Sequence, residues 1–200
     1  MAVRILVMAI TLVLAQSAAA QTPEPAFEAG ATFVTTESGQ FHTNDVGVGG
    51  WLGWRVRPLI GLEGELTYHA DPFGEASSFS AGRIEGLFGV TIGPRLGWLR
   101  PFATVRPGFV TYRAAAEPFA CIAIFPPPLS CTLAEGRTLF AFDVGGGLEF
   151  SLATRSVIRV TLSDRIVRYP APAFDTSGER HDDSFTGHDL RFAVGVGVRF

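Results

Sequence analysis

From residue 188 to the end of the chain, large apolar residues alternate with charged or small ones. Leu190, Phe192, Val194, Val196, Val198 and Phe200 form one set; Asp189, Arg191, Ala193, Gly195, Gly197 and Arg199 stand between them. A period of two sends the sets to opposite faces of one extended strand. The same alternation, punctuated by turn residues, predicts seven earlier strands at 26–36, 46–56, 59–69, 80–92, 102–113, 139–152 and 157–169, with the last at 188–200.

The polar faces agree from strand to strand. Glu63 and Glu65 share one parity, as do Arg83 with Glu85, Asp143 with Glu149, and Arg191 with Arg199. The opposite faces carry Ile60, Leu62 and Leu66, then Ile84, Phe88, Val90 and Ile92, then Phe140, Phe142, Val144, Leu148 and Phe150. Connections after strands two, four and six are short, and those after one, three, five and seven are longer. This rhythm predicts an all-β fold: a transmembrane antiparallel up-and-down β-barrel of eight strands, with lipid outside and polar groups inside. Short periplasmic turns would then alternate with long extracellular loops. Eight strands leave an interior just wide enough for side chains. Glu63, Glu65, Arg83, Glu85, Arg106, Asp143, Glu149, Arg159, Arg191 and Arg199 are expected to fill it as a network of ion pairs that plugs the bore.

Aromatic residues fall at two heights. Tyr68, Tyr112 and Tyr169 end strands three, five and seven, while Trp54, Trp98, Phe150 and Phe200 fall at the opposite rim. Amphipathic rings collect at both water–lipid boundaries, so two girdles are expected. Trp51 points inward in this register. Asp164 shares the lipid face of strand seven with Ile158, Val160 and Leu162, which requires either a place near the rim or a register-shifting bulge.

Composition adds an address. Arg4, the apolar run 5–14 and the Ala18-Ala19-Ala20 ending read as a secretory signal peptide over residues 1–20. A short mature tail (21–25) and a barrel domain (26–200) follow. The apolar run is too short for a membrane-spanning helix, which needs about 20 residues. Hydrophobic residues make up 47% and charged residues 18%, with a mean hydropathy of +0.27, and a lipid-facing barrel reconciles these values with the absence of a second long apolar run. All 16 basic residues are arginine, whose fork suits carboxylate pairing in a confined space. No basic patch points to nucleic acid. Cys121 and Cys131 flank a Pro-rich segment, and in an oxidising periplasm a local disulfide is expected.

The search for chemistry is nearly empty. Without lysine there is no phosphate-binding P-loop, and no H-E-x-x-H or G-x-S-x-G occurs. The stretch His181-Asp182-Asp183-Ser184 is the one weak candidate for a lipid-directed hydrolase, and it lies in a polar loop. His42, His69, His181 and His188 fall in or beside predicted extracellular loops near Asp45, Asp71, Asp182, Asp183 and Asp189. Such a rim suits a divalent metal or an acid response, although loop polarity alone accounts for it, and no metal or other cofactor is expected.

The whole mature chain resembles the small eight-stranded outer-membrane barrels, the type that includes the OmpA transmembrane domain and the OmpX/Ail group. The resemblance rests on the leader, the strand–loop rhythm, the aromatic bands and the ending Gly195-Val196-Gly197-Val198-Arg199-Phe200. It implies a bacterial outer-membrane location and a final strand read by the barrel-insertion machinery through Phe200. Lipid and lipopolysaccharide contact, and loops that meet an extracellular ligand or host factor, are further implications. No peptidoglycan-binding domain is expected after the barrel. The function expected is structural or surface-interacting and not enzymatic. The alternatives are a lipid- or lipopolysaccharide-modifying barrel enzyme and a narrow ion channel.

Overall fold

The computed structural model describes residues 27–70, 82–114 and 124–200. The expected signal peptide, the mature tail, Asp71 and Cys121 lie outside them. Eight long strands close into one antiparallel barrel: β1 (Phe27–Ser38), β2 (Thr43–Arg55), β3 (Ile60–His69), β4 (Arg83–Ile92), β5 (Leu99–Tyr112), β6 (Arg137–Ser151), β7 (Ser156–Tyr169) and β10 (Phe185–Arg199). Each strand pairs with its neighbour in sequence. β10 pairs with β1 to complete the circle. Reciprocal bonds between Phe27 and Phe200, at 3.1 and 2.9 Å, fasten the seam at its end. Closure leaves no sheet edge, the condition for a β-structure to stand in lipid.

The alternation gives the barrel its polarity. Leu52 is 68% exposed and Val196 59% exposed on the outer wall, whereas Glu149 and Arg165 are wholly buried inside. One end of the cylinder carries the short turns 56–59, 93–98 and 152–155 and the β1–β10 seam. The other carries the longer connections. The first of these is shorter than expected: β1 and β2 continue their ladder to Ser38 and Thr43, leaving a four-residue turn, 39–42, in which His42 takes a left-handed φ of 49°. Two long connections have structure of their own. A helix, α1 (Leu129–Ala134), lies between β5 and β6, and a small hairpin, β8 (Ala173–Phe174) with β9 (Arg180–His181), lies between β7 and β10.

Local exceptions have plain causes. The β4–β5 ladder skips Phe88 and Gly89 beside Pro107, because proline offers no N–H to the partner strand. Trp51 does point inward, and its indole lies against Gly195 and Gly197. A Cβ at those positions would stand 2.5 and 2.8 Å from ring carbons, so glycine is required for the close approach.

The expected upper girdle needs correction. Tyr68 faces outward, but Tyr112 and Tyr169 are buried in the interior. Tyr112 has the same parity as Arg106, and Tyr169 the same parity as Arg159 and Arg165. Their height was read from strand ends while their face follows from the alternation. Trp54, Trp98 and Phe200 lie exposed at the turn end, where Phe27 stacks on Trp54 and Phe200 and where Trp98 stacks on Phe150.

Replacing Gly195 by Val forces the Trp51 indole from its seat and is expected to destabilise the barrel by roughly 1–3 kcal/mol. Gly64→Ala, where a Cβ meets Phe88 at an ordinary 3.7 Å, serves as the neutral comparison. Urea unfolding of both variants in lipid vesicles measures the difference.

Candidate functional site: an ionic interior beneath an apolar lid

Seven arginines and seven carboxylates are buried among the described residues: Arg83, Arg100, Arg106, Arg159, Arg165, Arg191 and Arg199 against Glu28, Asp45, Glu63, Glu85, Asp143, Glu149 and Asp189. Glu65 joins them with its side chain 8% exposed. All ten residues expected in the interior point there. The pairs form three layers along the axis.

Arg106 organises the middle layer. Its Nε and Nη2 donate to Asp143 at 2.9 and 2.6 Å, and its Nη1 donates to Glu63 at 2.9 Å and Glu65 at 2.7 Å. One planar fork thus joins β5 to β6 and, across the bore, to β3. Ser163 donates to the second Asp143 oxygen at 2.7 Å. Arg191 bonds Glu65 and lies 3.0 Å from Glu85.

Toward the turn end, Glu149 is the common acceptor. Arg199 bonds it directly; Arg159, Arg100 and Arg55 approach at 3.3, 3.6 and 3.9 Å. Glu28 pairs with Arg159 at 3.0 Å and with Arg199 at 3.5 Å. Arg159 also bonds Glu63, and its guanidinium lies between the rings of Trp51 and Phe102, 5.3 and 5.0 Å from their centroids. A cation held between two aromatic faces gains further stabilisation where water is scarce.

Toward the loop end, Arg165 bonds Glu85 and reaches Asp189 at 2.7 Å. Arg83 pairs with Asp45 at 2.9 Å, and His69 stands between them, with Nδ1 3.3 Å from Asp45 and 3.2 Å from Arg83. Above this layer the interior turns apolar. Val110, Tyr112, Leu139, Ala141, Val167 and Tyr169 line the inner wall, and Leu129 and Leu133 of α1 with Ala173 of β8 pack onto them. Phe174 N–H donates to the Pro127 carbonyl at 3.1 Å, tying the two long connections together. The result is a lid over the ionic column.

Residues 5–200 match the sequence profile of the outer membrane protein beta-barrel domain. The chain belongs to that family. It therefore resides in the bacterial outer membrane, with the turn end in the periplasm and the loops outside. No curated protein sequence matches it significantly. Among solved structures it is similar to Neisserial surface protein A, with a TM-score of 0.62 at 9% identity, covering 88% of this chain and 97% of that one. It is also similar to OprG from Pseudomonas aeruginosa (TM-score 0.55, 11% identity, 88% and 97% covered). The third is Ail of Yersinia pestis in complex with the heparin analogue sucrose octasulfate (TM-score 0.52, 13% identity, 87% and 96% covered). These likenesses establish the eight-stranded outer-membrane barrel fold.

In the frame of this outer-membrane barrel, Asp164 lies near the extracellular rim. Its ladders to Leu190 and Val144 are unbroken, so no bulge intervenes. Only Ile166 separates it from Arg168 on the outward row, and its carboxylate meets His188 at 2.8 Å. A charge at that height costs little.

The histidines do not converge. His42 sits in the first turn, His69 is enclosed with Asp45 and Arg83, His188 faces outward beside Asp164, and His181 stacks on Phe185 at 4.0 Å and meets Asp175 at 3.1 Å. Among the described residues, the one group of three close metal-ligating side chains is Asp175, Glu179 and His181, which contains a single histidine. Ser184 accepts two bonds from Arg168, at 3.1 and 2.8 Å, and Asp182 pairs with Arg180. His181 is thus bonded to Asp175 and Ser184 to Arg168, a different set of partners from the hydrolase grouping suggested by adjacency.

Glu28, Asp45, His69, Arg100, Arg165 and Asp189 escaped the expected network. Arg165 and Asp189 share parity with Arg159 and Arg191, so alternation alone locates them. Asp45 and Arg100 fall in expected connections that the barrel ladder in fact includes. Cys131 lies in α1, and no free cysteine occurs among the described residues.

Arg106→Met leaves Asp143, Glu63 and Glu65 short of a partner in a dry interior and should cost about 3–5 kcal/mol. Arg180→Met, which removes an exposed pair, should cost at most about 1 kcal/mol. Equilibrium unfolding in vesicles compares them. In the loop hairpin, partial burial disfavours the charged Asp175 carboxylate. Bonds from the Ser177 hydroxyl, His181 and the backbone N–H groups of Glu179 and Ser177 outweigh that effect and hold its pKa at about 2, below the ordinary 3.8. Because the folded value is the lower one, the stabilisation is full above the ordinary value and disappears as pH falls through 2. Amide resonances of Ser177 and Glu179 should keep their hydrogen-bonded shifts down to pH 4 and lose them toward pH 2.

Proposed function

We propose that this barrel is sealed and non-enzymatic, serving a structural or surface-interaction role exercised from its extracellular loops. The observation that carries the reading is the unbroken stack of ion pairs from Glu28 to Asp189, topped by the lid on Val110, Tyr112 and Tyr169. A solute crossing the bore would have to part several desolvated pairs, each strongly disfavoured when broken. The loops are where such a protein meets its surroundings. Ile124 and Phe125 are exposed on the loop before α1, at 46% and 79%. An extracellular ligand or host factor is the partner class this supports, beside membrane lipid and lipopolysaccharide.

Two accompanying readings concern export. The leader is cleaved after Ala20 and the final strand ending in Phe200 is handed to the insertion machinery. Cys121 bridges Cys131 and restrains the loop that holds α1. The mass of the exported protein, with and without reductant, reads both.

The sealed bore is tested in planar bilayers. The wild type should give no discrete conductance steps, and the variant Arg106→Met combined with deletion of residues 124–136 should introduce them. Regular steps from the wild type would establish a channel and overturn the reading.

A further inference from the structure

In the periplasmic layer of the column, guanidinium outnumbers carboxylate. Arg100, Arg159 and Arg199 are buried there and Arg55 reaches in from the rim, against Glu28 and Glu149, with Glu63 shared with Arg106. All four arginines draw on Glu149, which neutralises one charge.

Arg100 is the least satisfied of them. It is 3% exposed, yet its Nη1 is 3.6 Å from Glu149, beyond hydrogen-bonding range, and its Nη2 donates to Thr91 Oγ1 at a long 3.4 Å. Its Nε has no hydrogen-bond partner. Arg106, by contrast, places every donor nitrogen within 2.9 Å of a carboxylate oxygen. An unsatisfied donor in so enclosed a place is costly. Beside Arg100 lies a cavity of about 10 Å³ bounded by Arg55, Gly61, Thr91 and Arg100, with Glu28 and Glu63 opposite. Those two carboxylates are already held by Arg159, Arg199 and Arg106. The cavity depends on glycine at 61, since a Cβ there would stand 2.8 Å from Thr91 Oγ1.

We propose that this cavity is a binding site for a small monatomic anion, chloride above all, held by the Arg100 guanidinium and the Thr91 hydroxyl. The charge comes from the local excess of arginine. Thr91 Oγ1 accepts from Arg100 and keeps its own proton to donate to the ion. The size fits a species of about one water molecule, which excludes phosphate, sulfate and carboxylates. The site opens toward the periplasmic turns and is independent of what the extracellular loops bind.

The full mature protein, refolded in detergent micelles, tests this with sodium chloride against sodium gluconate at equal ionic strength. Chloride should raise the urea-unfolding midpoint saturably, and gluconate should not. Crystals soaked in sodium bromide should show an anomalous peak beside Arg100 and Thr91. Thr91→Val leaves every guanidinium–carboxylate pair in place and should remove most of the chloride-dependent shift; Arg100→Gln should abolish it. Equal midpoints in the two salts, or a bromide-free cavity, would show that water alone fills the space. A chloride effect that survives both substitutions would place the ion elsewhere. Either result overturns the proposal.

Discussion

Charges that face the inside of an eight-stranded cylinder have neither bulk water nor lipid headgroups to solvate them, so each must find its counter-charge on another strand. This requirement governs the rest of the molecule. It explains why, among the described residues, every buried arginine stands beside a carboxylate and why most pairs join strands distant in sequence, such as Arg159 with Glu28 and Glu63. The outer wall solves the opposite problem with Leu, Val and Phe, and the alternation along each strand lets one backbone serve both solvents. Hydrogen bonding of the backbone is settled by closure. Strand order follows from the connections between sequence neighbours, and the matching of inner charges adds to the alternation in favouring one register.

Arginine suits this task better than lysine. A single ammonium on a flexible stem satisfies one carboxylate well, whereas the five-donor fork of Arg106 serves three carboxylates on two strands at once. Its flat face also packs against aromatic rings, as Arg159 does between Trp51 and Phe102. The glycines facing Trp51 follow from the same crowding: a bulky ring and a guanidinium share one level, so β1 and β10 alongside carry glycine at positions 30, 195 and 197.

How much of this was legible depended on which signal carried it. Strand existence and facing came through clearly, because alternation over ten or more residues is a strong pattern; Arg191 and Arg199 needed nothing else. Where a residue's height was inferred without its face, the reading failed, as with Tyr112 and Tyr169. Strand ends were blurred because ladder hydrogen bonds carry pairing past the last apolar residue, which concealed Asp45 and Arg100 as interior groups. His69 closes the expected strand 59–69 with the parity of Glu63 and Glu65, yet its place at the loop end reads as rim polarity. The lid was not legible: α1 is a six-residue helix whose apolar face has no periodicity to detect, and its place is set by contact with the walls of β5, β6 and β7.

The change from ionic column to apolar lid follows the change of surroundings along the axis. Within the membrane, burying an apolar side chain in the bore gains little over leaving it against lipid, so inner apolar packing supplies a weak driving force there. Past the extracellular rim the alternative is water, and the hydrophobic effect returns in full. Leu129, Leu133 and Ala173 are therefore best placed where they are found, packed at the loop end of the bore. The two halves of the interior are held by different forces. Salt weakens exposed charge pairs far more than enclosed ones, while the lid rests on contacts that salt does not screen. Local opening should therefore begin at the lid, where loops connect to strands, and leave the column of ion pairs beneath it intact.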